Sequence, residues 1–138
     1  PDFALLLQYK IMRYFLFVMA LCGIACVRQP YQSGARLYKT HCANCHMDNG
    51  QGLGALIPPL AGADYLANNQ ANLPCLIRKG IQDTIVVNGK VYAEKMPANE
   101  ALSDIQITNI LNYVNSSWGN QYPPFQLETL REMLKKCQ

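Results

Sequence analysis

Between Ser103 and Gly119 apolar residues recur on one helical face: Ile107, Ile110, Leu111, Val114 and Trp118. That spacing predicts an amphipathic helix, opened by the capping box Ser103-Asp104-Ile105-Gln106 and closed at Gly119. Ser33 is placed to cap an earlier helix that begins near Gly34 and carries Leu37 and Tyr38. Gly34 lacks a side chain, which lets another helix cross closely there. Asp64 is expected to cap a short helix through Tyr65 and Leu66, and Pro74 to begin another that ends at Gly80. From Ile85 to Tyr92 a strand pattern breaks at Asn88-Gly89, the pair that a tight hairpin turn needs for two positive φ angles. So short a hairpin must lean on something else. After Pro123-Pro124, residues Leu127, Leu130 and Leu134 mark a further helix from Phe125 to Lys136, with Glu132 paired to Lys136. A helix of that length is not stable alone in water, so it packs back on the domain or docks on a partner.

The N-terminal pattern is different. From Met12 the chain reads one basic residue, Arg13, then an apolar run from Tyr14 to Ala25, then Cys26. This is the layout of a signal peptide, with an apolar core too short to span a bilayer. Gly23-Ile24-Ala25-Cys26 resembles the bacterial lipoprotein processing site, with Gly23 where a leucine is usual, and lipid would attach at Cys26. A cleaved soluble form is an alternative. So is a retained helix from Phe3 to Val27, which would hold Gln8, Lys10 and Arg13 at costly depth. The expected organisation is a leader or anchor over 1–25, a tether over 26–33, a domain over 34–120 and a helical tail over 121–138. In every version the domain faces the outside of a membrane.

At 138 residues with a formal charge of +3 and no run of basic residues, the chain suggests one domain and no nucleic-acid partner. Six cysteines favour an extracytoplasmic compartment. Two of them fall in Cys42-Ala43-Asn44-Cys45-His46, a C-x-x-C-H motif, which is the attachment signature of a c-type haem. Two thiols on one helical turn can each form a thioether to a haem vinyl group, and the adjoining imidazole then reaches iron from one face. A redox dithiol or half a zinc site is the alternative use of C-x-x-C. The only other histidine is His41, one residue before the motif. The glycine-rich stretch 48–54 lacks the ending of a phosphate cradle and reads as a loop at the haem edge. Cys75 is expected to be a buried apolar residue, with a bridge to Cys137 as the other possibility.

The order of Gly34-Ala35-Arg36-Leu37-Tyr38, the motif, Pro58-Pro59-Leu60-Ala61-Gly62, Lys95-Met96-Pro97 and Tyr113 to Gly119-Asn120 resembles a class I c-type cytochrome over about residues 33–120. The resemblance implies an all-α fold of about four helices around one covalent haem c, here with a minor hairpin and an extra C-terminal helix. It implies thioethers at Cys42 and Cys45, His46 as one axial ligand and the Pro58 carbonyl as acceptor for the other ring nitrogen of His46. It also implies a crossing of the first and last haem-domain helices with Tyr38 and Tyr113 at the contact. Met96 is the expected second axial ligand. Met12 and Met19 lie in the leader, Met47 adjoins His46, Met133 is in the tail, and Met-Pro is how the family presents this ligand. Tyr92 is expected either to reach a haem propionate or simply to pack.

With both axial positions filled, the expected function is one-electron transfer without substrate turnover. The carrier would work on the periplasmic face of a bacterial cytoplasmic membrane, attached through lipid at Cys26. Its partners would be a quinol-oxidising complex and a terminal oxidase or reductase. Lys39, Lys90 and Lys95 could steer an acidic partner, or serve only as solvated surface. Two alternatives remain open: a fixed subunit of a larger respiratory complex, and a sensor or peroxidase with an open iron site.

Overall fold

The computed structural model describes residues 7–15 and 31–137. Most of the leader, Cys26 with its processing site and the first part of the tether lie outside the described residues. The chain divides into two units, Pro1–Pro30 and Tyr31–Gln138. In the first, residues 7–15 are helical and exposed, and Ile11, Tyr14 and Phe15 present apolar surface. Among the described residues no helix is long and apolar enough to cross a membrane.

The second unit contains α1 (Gln32–His41), α2 (Ala43–His46), α3 (Asp64–Asn68), α4 (Leu73–Lys79), a hairpin of β1 (Ile85–Val87) and β2 (Lys90–Tyr92), α5 (Asp104–Asn115) and α6 (Leu127–Lys135). Helices dominate, as expected. Five rather than about four precede the tail helix, because a break at Cys42 separates the single turn of α2 from α1.

The core is built on α5, whose Ile107, Ile110, Leu111 and Val114 are all buried. Its capping box is complete: the Ser103 hydroxyl accepts from the Gln106 N–H, and the Gln106 side chain accepts from the Ser103 N–H. The helix stops at Asn115, short of the expected Gly119. Ser116 and Ser117 explain this, since their hydroxyls donate back to the Asn112 and Tyr113 carbonyls at 2.8 and 2.6 Å and so compete with a continuing helix.

α1 crosses α5 at Gly34, where a Cβ would run into the Asn109 carbonyl and the Tyr113 side chain. Around that crossing Tyr38 and Tyr113 lie 5.4 Å apart between ring centroids, and Trp118 lies 5.0 Å from Tyr38. Ser33 does not cap α1. The helix begins earlier, because the Tyr31 carbonyl already accepts from the Ala35 N–H at 3.0 Å, and Ser33 falls inside the first turn.

Asp64 is likewise inside its helix, with Ala63 at the cap position. Its carboxylate accepts from the Asn88 N–H at 2.7 Å while its own N–H donates to the Asn88 side chain at 3.0 Å. This reciprocal pair fastens the hairpin turn to α3 and supplies the support so short a hairpin needs.

The tail packs back on the domain. α6 lies against α4 and α5, and Leu130 is fully buried. Asn112 exchanges two hydrogen bonds with the Phe125 backbone, at 2.7 and 3.1 Å. Cys75 is not a plain apolar residue: it forms a disulfide with Cys137, 62 positions along the chain. Glu132 pairs with Lys135 at 2.7 Å and not with Lys136, because Lys136 is the C-cap, where the helical course ends.

Candidate functional site

The Cys42 N–H donates to the Tyr38 carbonyl at 2.8 Å, which completes α1. The Cys42 carbonyl then accepts from the N–H groups of Cys45 and His46, at 3.1 and 2.9 Å, and opens α2. This local geometry brings both thiols and the imidazole to the wall of one cleft. Beyond His46 the chain reverses at Met47, which has φ 61° and accepts the Tyr38 hydroxyl at 2.7 Å. The loop returns to deliver the Pro58 carbonyl to the His46 Nδ1–H at 3.1 Å. Gly52 makes that return possible. It has φ 67°, and a Cβ there would meet the Ile57 and Pro58 carbonyls.

Burial holds the His46 pKa below the ordinary imidazole value, against the smaller opposing effect of its bond to Pro58. The imidazole is therefore neutral at pH 7. A carbonyl can only accept, so the proton sits on Nδ1 and the Nε2 lone pair is left for a metal. Cys42 and Cys45 are free thiols. Burial, and next the charge of Cys45, push Cys42 up to about 11. A redox-active C-x-x-C pair works through a lowered thiol pKa, and Cys42 departs in the opposite direction. Among the described residues no group of three or more His, Cys, Asp or Glu side chains is placed to hold a metal ion. The zinc use of the motif finds no further ligands there.

The cleft, its open mouth and the solvent there included, spans about 1020 Å³ free of protein atoms. Its walls are overwhelmingly apolar: Leu66, Leu73, Leu76, Ile77, Val87, Ile110, Leu111 and Val114 all face it. Met96 also lines it, as do Pro58 and the buried Tyr92. The structure thus gathers Cys42, Cys45, His46, Pro58, Met96 and Tyr92 around one cavity, while Cys26 lies outside the described residues. Lys39, Lys90 and Lys95 are exposed, and Lys95 stands on the cleft lining.

Two residues that sequence reasoning passed over secure the Met96 segment. Ile81 exchanges both backbone hydrogen bonds with Met96, at 2.9 and 3.0 Å. Gly80, with φ 75°, lies so close to the Met96 carbonyl and the Ala98 nitrogen that no Cβ fits. Gly80 is visible in sequence only as a helix stop. Its contact with a segment sixteen residues later has no local signature.

These features fit a covalent haem. Two thiols on one turn, a neutral imidazole with its Nε2 unprotonated, a thioether and a wide apolar wall share one site. Comparison with known proteins agrees. The profile of the cytochrome c family matches residues 31–118. The chain is 34% identical over 112 residues to cytochrome c-552 of Thermus thermophilus, covering 75% of this chain and 85% of that protein. It is 32% identical over 95 residues to the cytochrome c subunit of a quinone alcohol dehydrogenase from Gluconobacter oxydans, covering 66% of this chain and 19% of that subunit. It is 34% identical over 93 residues to the cytochrome c subunit of gluconate 2-dehydrogenase from Pantoea cypripedii, covering 64% of this chain and 21% of that subunit.

Proposed function

The chain belongs to the cytochrome c family, and from that membership we propose that it is a His46/Met96-ligated carrier passing single electrons from a quinol-oxidising complex to a terminal oxidase or reductase. A cytochrome c holds haem c covalently and transfers electrons. When bound, the group supplies a one-electron iron couple.

The residues of this chain do the rest. Cys42 and Cys45 hold the group by thioethers. His46 presents Nε2, and its Nδ1–H bond to Pro58 fixes the tautomer and makes the imidazole a stronger donor. Met96 presents a soft thioether, which favours the reduced state and raises the potential. The apolar walls exclude water and disfavour the extra charge of the oxidised state, which acts in the same direction. Tyr92, buried on the cleft lining, would pack against the group or donate its hydroxyl to a propionate. With His46 and Met96 both held to the iron, the group would keep no open position for a substrate, and the protein would carry electrons without turnover. Lys39, Lys90 and Lys95 meet the acidic rim of a partner through a small, transient contact. Acylation at Cys26 and residence at the periplasmic face rest on the sequence pattern of the leader. Intact-mass measurement of the native protein tests both.

The observation that carries this reading is the convergence of Cys42, Cys45, His46 and Met96 on one apolar cleft. Redox titration tests it: Met96→Ala keeps covalent haem and lowers the midpoint potential strongly, whereas an unchanged potential would mean that another group is the ligand. A second reading, as a fixed subunit of a larger assembly, is favoured by relatives that are dehydrogenase cytochrome c subunits, of which this chain spans about a fifth. Purification in mild detergent separates the two. A carrier leaves its partner at raised salt, and a subunit stays.

A further inference from the structure

We propose that the Cys75–Cys137 disulfide positions Met96: it holds α4 in place, and α4 holds the backbone that bears the methionine. The inference rests on the His46/Met96 reading. Three backbone hydrogen bonds fasten the 96–99 segment to the end of α4 and the residues that follow it. Met96 and Ile81 exchange two, and the Asn99 N–H donates to the Ile77 carbonyl at 3.0 Å. Gly80 packs directly on the backbone of the same segment. Where α4 goes, Met96 follows.

α4 itself is weakly determined. It has seven residues and no side-chain cap, too few to hold a helical position unaided. On one side Leu73, Leu76 and Ile77 line the cleft, so that face of α4 rests partly on whatever the cleft holds and not only on other elements. Its anchors are on the other side. Arg78 donates to the Leu102 and Glu100 carbonyls, at 2.6 and 3.0 Å, and pairs with Asp104 at 2.8 Å. Arg131 of α6 approaches the same carboxylate at 3.6 Å. The covalent anchor is Cys75–Cys137, which ties α4 to the end of α6, a helix itself fixed by the fully buried Leu130. Without the bond, α4 with Ile81 and Met96 can swing out as a unit while the α1–α5 crossing stays closed.

The test uses the haem-loaded Cys75→Ala/Cys137→Ala protein. Carbon monoxide takes the position that Met96 vacates, so its affinity for the reduced form rises about tenfold or more if the methionine-off population rises by that factor. Circular dichroism stays native, and amide hydrogen exchange at Ile81 and Met96 accelerates by a similar factor. If the disulfide merely strengthens the fold, its loss lowers the thermal midpoint yet leaves carbon monoxide affinity and these two amides unchanged, and that result overturns the proposal. If the double variant does not fold, phosphine reduction and alkylation of the wild-type holoprotein breaks the same bond after folding. The same criteria then apply, and general loss of helicity on that treatment also overturns the proposal. If the wild type binds carbon monoxide as tightly as Met96→Ala, the ligation reading fails, and exchange at Ile81 and Met96 alone decides the role of the disulfide.

Discussion

At Gly34 one missing methyl group decides whether α1 and α5 can meet. A Cβ there has no soft neighbour to displace, since the nearest atom is the Asn109 backbone carbonyl. Gly34→Ala is therefore expected to destabilise the protein by about 1–3 kcal/mol, the usual cost of overpacking, measured by denaturant titration of the holoprotein. It should also alter the near-ultraviolet dichroism of the Tyr38, Tyr113 and Trp118 cluster. The candidate attachment residues were legible at this scale, because a C-x-x-C-H motif sets Cys42, Cys45 and His46 at one fixed short spacing. Gly52 and Gly80 were not. Each is required by a carbonyl outside its own turn, five and six residues on at Ile57 and Pro58 for Gly52, and sixteen residues on at Met96 for Gly80.

Among the elements, α5 was the most legible, because its start is encoded within four residues and its buried face within twelve. Ser103→Ala removes the hydroxyl that accepts from Gln106 and should cost about 1 kcal/mol, read as a lowered thermal midpoint with covalent haem retained. A midpoint equal to wild type would mean that the cap contributes nothing. The element ends were harder to read, for physical reasons. Ser33 has the right chemistry for a cap, but the Tyr31 carbonyl starts the helix before it. Gly119 has the right chemistry for a stop, but Ser116 and Ser117 divert the backbone first. Glu132 has two lysines within reach, and the end of α6 leaves Lys135 as the one on its face.

For the whole molecule, the cleft is the feature least visible in the sequence, since its walls are drawn from nearly every element and no single one encodes it. An amphipathic pattern says that α6 has a face to cover but not what covers it. The answer came from Leu130 in the core and the link between Cys75 and Cys137. The central claim is that this cavity closes on one haem with nitrogen from His46 and sulfur from Met96. The ferric absorption spectrum of the purified, haem-loaded protein tests it most directly. A weak far-red sulfur-to-iron band is expected, and it vanishes in Met96→Ala while the pigment stays on the polypeptide through acid and organic solvent. A wild-type spectrum without that band, or a band that survives the substitution, would contradict it.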